Sequence, residues 1–110
     1  MKRAPKRIQI SPFEYKVLYD NDRVKEHDAD GIHVRLKQEI AVGSDQAPEM
    51  ERDSVLHEAI HACFAQTPMF ENSDEGYKHE ERIVQSLTPR LLALLRNNPE
   101  FVEYLMEGTQ

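Results

Sequence analysis

The chain has 110 residues, the size of one domain, and its 39% hydrophobic and 31% charged composition is that of an ordinary globular protein. A net charge of −6, from 14 basic and 20 acidic residues, argues against a nucleic-acid binder that works by neutralising phosphates. A single cysteine, Cys63, rules out an internal disulfide, and the longest apolar run, Leu91-Leu92-Ala93-Leu94-Leu95, is too short to cross a bilayer.

The chain opens on a small basic cluster, Lys2, Arg3, Lys6 and Arg7, read as a solvated arm. No apolar signal segment follows it, because Ile8 and Ile10 give way at once to Ser11-Pro12. Ile8 and Ile10 alternate with polar neighbours, as do Tyr15, Val17 and Tyr19, which predicts two strands. Residues 20–31 are polar and rich in turn formers, so a loop is expected there. Ile32, Val34 and Leu36, then Ile40 and Val42, predict a hairpin turning around Leu36 to Gln38.

From Pro48 the period changes to that of a helix. Proline suits a first turn, and Glu49 and Glu51 suit the positive end of the helix dipole. Val55, Leu56, Ala59, Ile60, Cys63 and Phe64 are spaced for a largely buried helix to about Gln66, with Cys63 expected as a core thiol. A second helix is expected from about Tyr77, with Ile83, Val84, Leu87, Leu91, Leu94 and Leu95 as its apolar stripe. Thr88-Pro89 predicts a kink in it or a fresh start capped by Thr88. Asn98-Pro99-Glu100 opens a last helix to about Met106, with Phe101, Val102 and Leu105 expected to face inward.

The chemistry lies in Leu56-His57-Glu58-Ala59-Ile60-His61-Ala62. Two histidines four apart project from one helix face and can grip one metal ion. Glu58 lies about 100° round the helix from His57, beside such an ion rather than on it. From there it can act as general base toward a metal-activated water and then as general acid toward a leaving amine. Zinc fits two neutral nitrogens, one carboxylate and an open fourth position. No further histidine stands at position 67, which holds Thr67, so the third ligand is expected from the second helix. Helical spacing leans to Glu80, near the centre of the stripe made by Ile83, Val84 and Leu87, over Glu81 at its edge. Tyr77 and His79 are candidates to steady an oxyanion. Asp53, one turn before His57, is a candidate to orient its ring, while His27 and His33 are expected to be solvated.

These segments, with Glu80-Glu81-Arg82-Ile83-Val84 and Leu94-Leu95-Arg96-Asn97-Asn98-Pro99, resemble the small HExxH proteins encoded in phage and prophage genomes. Those are minimal gluzincins of the ImmA/IrrE-like and SprT-like kind, and Ile32 and Ile40-Ala41-Val42 are similar to their short sheet. The resemblance spans most of the chain, although its specific motifs are only His-Glu-x-x-His and the glutamate pair. It implies a zinc metallopeptidase in which a glutamate ahead of a short apolar pair is the third ligand. That favours Glu81 over Glu80, and both remain candidates.

The expectation is a single α+β, zincin-like domain over residues 1–110, a small antiparallel sheet followed by two or three helices. Zn2+ is expected on His57, His61 and Glu81 (or Glu80), with Glu58 as base and a protein or peptide as substrate. No nucleic-acid or membrane partner is expected, and the location is expected to be cytoplasmic, in a host cell if phage-encoded. The alternative function is a non-catalytic, zinc-stabilised interaction module, in one form a phage regulatory protein.

Overall fold

The computed structural model describes residues 4–108; Lys2 and Arg3 of the basic cluster lie outside the described residues. The two predicted N-terminal strands form as β1 (Arg7–Ile10) and β2 (Phe13–Tyr19), an antiparallel pair with Ile8 opposite Tyr15. Their alternation sends Ile10, Tyr15 and Val17 into the core and leaves Lys16 exposed. Arg7 is spent on an exposed ion pair with Glu14, at 2.6 Å.

The expected loop after β2 contains a short helix, α1 (Asn21–Lys25). Asp20 caps it by accepting from the Arg23 backbone N–H at 3.2 Å. One turn alone is not stable, but Val24 is buried and Arg23 donates to Glu39 at 2.5 Å, which ties α1 to the sheet. The predicted hairpin follows as β3 (Gly31–Val34) and β4 (Glu39–Val42), joined by a 3-10 turn at Arg35–Lys37 and by Gln38 in the left-handed region (φ 53°).

The sheet has the order β1-β2-β4-β3 and is mixed, which corrects the all-antiparallel expectation: β2 and β4 run parallel, with Val17 beside Ile40 and Tyr19 beside Val42. Period-two patterning fixes which face a side chain takes but not which strand lies alongside, or in which direction. The parallel pairing makes β4 central, and Ile40, Ala41 and Val42 are fully buried. β3 is left as an edge.

Three helices follow, α2 (Pro48–Phe64), α3 (Asp74–Asn97) and α4 (Pro99–Met106). Val55, Ala59 and Ala62 of α2 close the core formed by Ile10, Tyr15, Val17, Ile40 and Val42. Cys63 faces solvent, contrary to the expected core thiol, because the helix turns Ala62 inward instead. α3 starts three residues earlier than expected, capped by Ser73, whose Oγ accepts from the Gly76 N–H at 3.1 Å.

α3 runs unbroken through Pro89. Thr88 is therefore not a cap; its buried Oγ1 donates back to the Val84 carbonyl at 2.6 Å. Asn98 does not cap α4 through its side chain either, and donates instead to the Leu94 carbonyl at 2.8 Å, closing the end of α3. Beyond Thr88 no residue of α3 or α4 is fully buried, so Phe101 and Leu105 do not face inward as expected. No helix among the described residues is long and apolar enough to cross a membrane.

Candidate metal centre

α2 and α3 bring the candidate residues together. His57 and His61, one turn apart on α2, both face the first half of α3. One oxygen of Glu81, Oε1, lies 2.8 Å from His57 Nε2 and 2.9 Å from His61 Nε2. Glu80 sits on the other side of the same ring, with its Oε2 2.5 Å from His61 Nδ1. The two adjacent glutamates therefore hold different positions, Glu81 among the Nε2 atoms and Glu80 behind one of them. His57, His61 and Glu81 each offer one donor atom, and all three atoms lie within 4.8 Å of one another.

This donor set could hold a metal ion, and the two contacts to Glu81 can be compared with those of zinc. A tetrahedral zinc with bonds of about 2.0–2.2 Å spaces its ligands about 3.3–3.6 Å apart, so the present contacts need to open by less than about 1 Å. Glu80 already occupies Nδ1 of His61, which leaves Nε2 as the nitrogen for an ion.

Without a metal, the carboxylates hold protons on the site. Both ring nitrogens of His61 face carboxylate oxygens, an arrangement that favours its protonated form. Burial alone would pull its pKa down, but hydrogen bonds from the ring to Glu80 and Glu81 and the charges of Glu58 and Glu81 outweigh it and raise it. A histidine ligand must be neutral, so zinc binding here would displace a proton held on the ring. Calorimetric zinc titration of the metal-free protein in buffers of different ionisation enthalpy should register release of about one proton or more near pH 7. Apparent affinity should then fall as the pH drops below neutrality, and a pH-independent affinity would contradict a proton held on His61.

Glu58 is buried beside the pair, with Oε2 4.0 Å from His57 Nε2 and no lysine or arginine partner among the described residues. Burial raises its pKa to about 7; Glu81 adds to the rise and His61 opposes it. Room for this carboxyl comes from Gly31 of β3, where a Cβ would stand 3.0 Å from Glu58 Cγ and 3.2 Å from its Oε2.

A cavity of about 400 Å³ opens from these groups, lined by Gly31, His33, Glu58, His61, Tyr77 and Glu81. Tyr77 stacks on the His61 ring, with centroids 6.1 Å apart and planes 10° off parallel. Of the two oxyanion candidates it alone lines the cavity, and His79 is exposed elsewhere on α3. Asp53 makes no hydrogen bond to His57, and so does not orient it.

His33 was expected to be solvated, but it is half-buried in the cavity wall, whereas His27, at the same cavity, is exposed as expected. The Tyr15 hydroxyl accepts from Gln66 Nε2 at 3.3 Å and lies 3.3 Å from His33 Nε2, to which it can donate. Burial first, then the charges of His61 and Arg35, lower the His33 pKa to about 4, so it is neutral at physiological pH. The sequence signal that would have found it was its alternation phase. His33 lies on the opposite face of β3 from Ile32 and Val34, and beside Ile40 across the pair.

Comparison with protein-family models, with curated proteins and with solved structures gave no match to this chain.

Proposed function

We propose that the chain is a zinc-dependent metallopeptidase, with His57, His61 and Glu81 holding the ion and Glu58 serving as general base. The observation that carries this reading is the convergence of two Nε2 atoms on one Glu81 oxygen, beside a buried carboxyl that opens onto a cavity. Zinc held by these donors would lower the pKa of a bound water to about 7 and would polarise a substrate carbonyl.

Glu58 takes a proton from the attacking water and passes it to the leaving amine nitrogen. The burial that raises its carboxyl to about 7 suits it to both transfers. Glu80 keeps the Nδ1 proton of His61 engaged and so fixes the ring's orientation. Tyr77 and His33 offer hydrogen bonds to the peptide groups of a substrate lying in the cavity. The resemblance to phage-encoded minimal gluzincins supports the same reading. Under it the substrate is a protein or peptide and the place of action is the cytoplasm, that of the host if the chain is phage-encoded.

A second reading is a zinc-stapled interaction module without catalysis. The modest core favours it, since only nine hydrophobic residues are buried among the described residues. A structural site has no use for Glu58, which weighs the case toward the enzyme.

The ligand assignment is tested by zinc affinity in two adjacent variants. Glu81→Ala should weaken binding by roughly a thousandfold, as expected for loss of a direct ligand, whereas Glu80→Ala should cost about 10–100-fold. A reversed order would exchange the roles of the two glutamates. Wild-type affinity in both would remove α3 from the site.

A further inference from the structure

Gln66, Tyr15 and His33, none of them a candidate metal ligand, form one chain of hydrogen bonds that ends at the cavity wall. α2 ends at Phe64, and the Gln66 backbone N–H turns to the Cys63 carbonyl at 3.1 Å, so the Ala62 carbonyl loses the amide a full turn on. The Gln66 side chain supplies a donor there. Its Nε2 lies 3.4 Å from the Ala62 carbonyl oxygen and 3.3 Å from the Tyr15 hydroxyl. A carbonyl only accepts, so the side-chain amide must turn its NH2 group to both.

Counting protons then fixes the His33 tautomer. Tyr15 is fully buried, and its hydroxyl already accepts from Gln66. The hydroxyl's own proton has one acceptor among the described residues, His33 Nε2 at 3.3 Å. A proton on Nε2 would leave that buried hydroxyl proton without an acceptor, which costs free energy. The neutral ring carries one proton, which therefore sits on Nδ1. Among the described residues Nδ1 has no hydrogen-bond partner, and no sealed side-chain nitrogen or oxygen lacks one, so Nδ1 is open to solvent. The residue lines the cavity beside Glu58 and His61.

We propose that Gln66 and Tyr15 are positioning residues that hold the His33 proton on Nδ1, so that the ring presents a constant N–H donor to a carbonyl oxygen of a peptide bound in the cavity. A free imidazole exchanges between its two tautomers and for part of the time would turn a lone pair on that oxygen. The use of the donor rests on the metallopeptidase reading. The tautomer does not, and it needs no metal.

The test is long-range proton–nitrogen NMR of the isotope-labelled full chain, metal-free at about pH 7, which reads which ring nitrogen carries the proton. Wild-type His33 should carry it on Nδ1. Gln66→Glu sets an acceptor where the amide donates, so the Tyr15 proton should turn to the new carboxylate and the His33 proton should move to Nε2. Tyr15→Phe, which keeps the ring packed, should leave a mixture of tautomers. With zinc supplied, Gln66→Glu should cleave denatured casein roughly tenfold or more slowly than wild type at equal zinc content. A wild-type His33 protonated on Nε2 would overturn the proposal, as would a Gln66→Glu protein that keeps the proton on Nδ1, or one that shifts it and cleaves as fast as the parent. A wild type with the proton on Nδ1 and zinc bound that cleaves nothing would support the relay and overturn the peptidase reading, and with it the donor's use.

Discussion

Glu58→Gln should lose peptide-bond hydrolysis by about a thousandfold or more while keeping its zinc. Glutamine fills the same space under Gly31 but accepts no proton at neutral pH, and it leaves His57, His61 and Glu81 untouched. The measurement is cleavage of an unfolded protein such as denatured casein by wild type and variant, beside their metal content. If the variant cleaved as well as the parent, Glu58 would not be the base. If neither cleaved casein or any peptide pool with zinc bound, the interaction-module reading would stand.

The same substitution should make the metal-free protein more stable at alkaline pH. Glu58 titrates at about 7 in the fold, against an ordinary value near 4.5, because burial penalises its charged form. Below about pH 4.5 it is protonated in both the folded and the unfolded chain and costs nothing. As pH rises toward 7 the unfolded chain gives up the proton first, so stability is lost across that window, by roughly 3 kcal/mol at its end. Glutamine does not titrate. The variant's advantage in metal-free thermal unfolding should therefore grow between pH 4.5 and 7 and level off above, and a constant difference would contradict the buried-carboxyl account.

The second large effect is expected far from the metal. Gly76→Ala places a Cβ 1.9 Å from the Glu71 carbonyl oxygen and 2.7 Å from its carbon, an overlap that rotation of the new methyl cannot relieve. Either the turn before α3 or the first turn of α3 must move, and Tyr77, Glu80 and Glu81 ride on that helix. We expect a loss of about 3 kcal/mol or more in urea unfolding, with weakened zinc binding as a consequence. Ser73→Ala, which removes only the cap to Gly76 N–H, should cost about 1 kcal/mol. A Gly76→Ala protein as stable as wild type would show that this approach is not required.

What was legible in the sequence follows from what is local. The His57–His61 spacing places both rings on one face whatever the rest of the chain does, and the structure keeps them there, with ring centroids 5.0 Å apart. The glutamate pair was legible as a pair, but its roles were not. Neighbours on a helix differ by about 100°, and the face α3 turns to α2 is set by packing of Val84 and Thr88 rather than by the centre of its apolar stripe. That stripe mixes two faces, one buried and one bare, which is why Leu87 and Leu94 could be taken for core. The parallel pairing of β2 with β4, the place of His33 and the need for glycine at 31 and 76 all arise from contacts between distant segments. No local pattern encodes these.

The claim beneath the rest is that His57, His61 and Glu81 hold one metal ion, and its most direct test is elemental analysis of the purified protein before and after equilibration with zinc. The account predicts about one zinc per chain, retained through dialysis and lost in His61→Ala under the same conditions. A wild-type protein that takes up no zinc, or a His61→Ala protein that takes up as much, would contradict it.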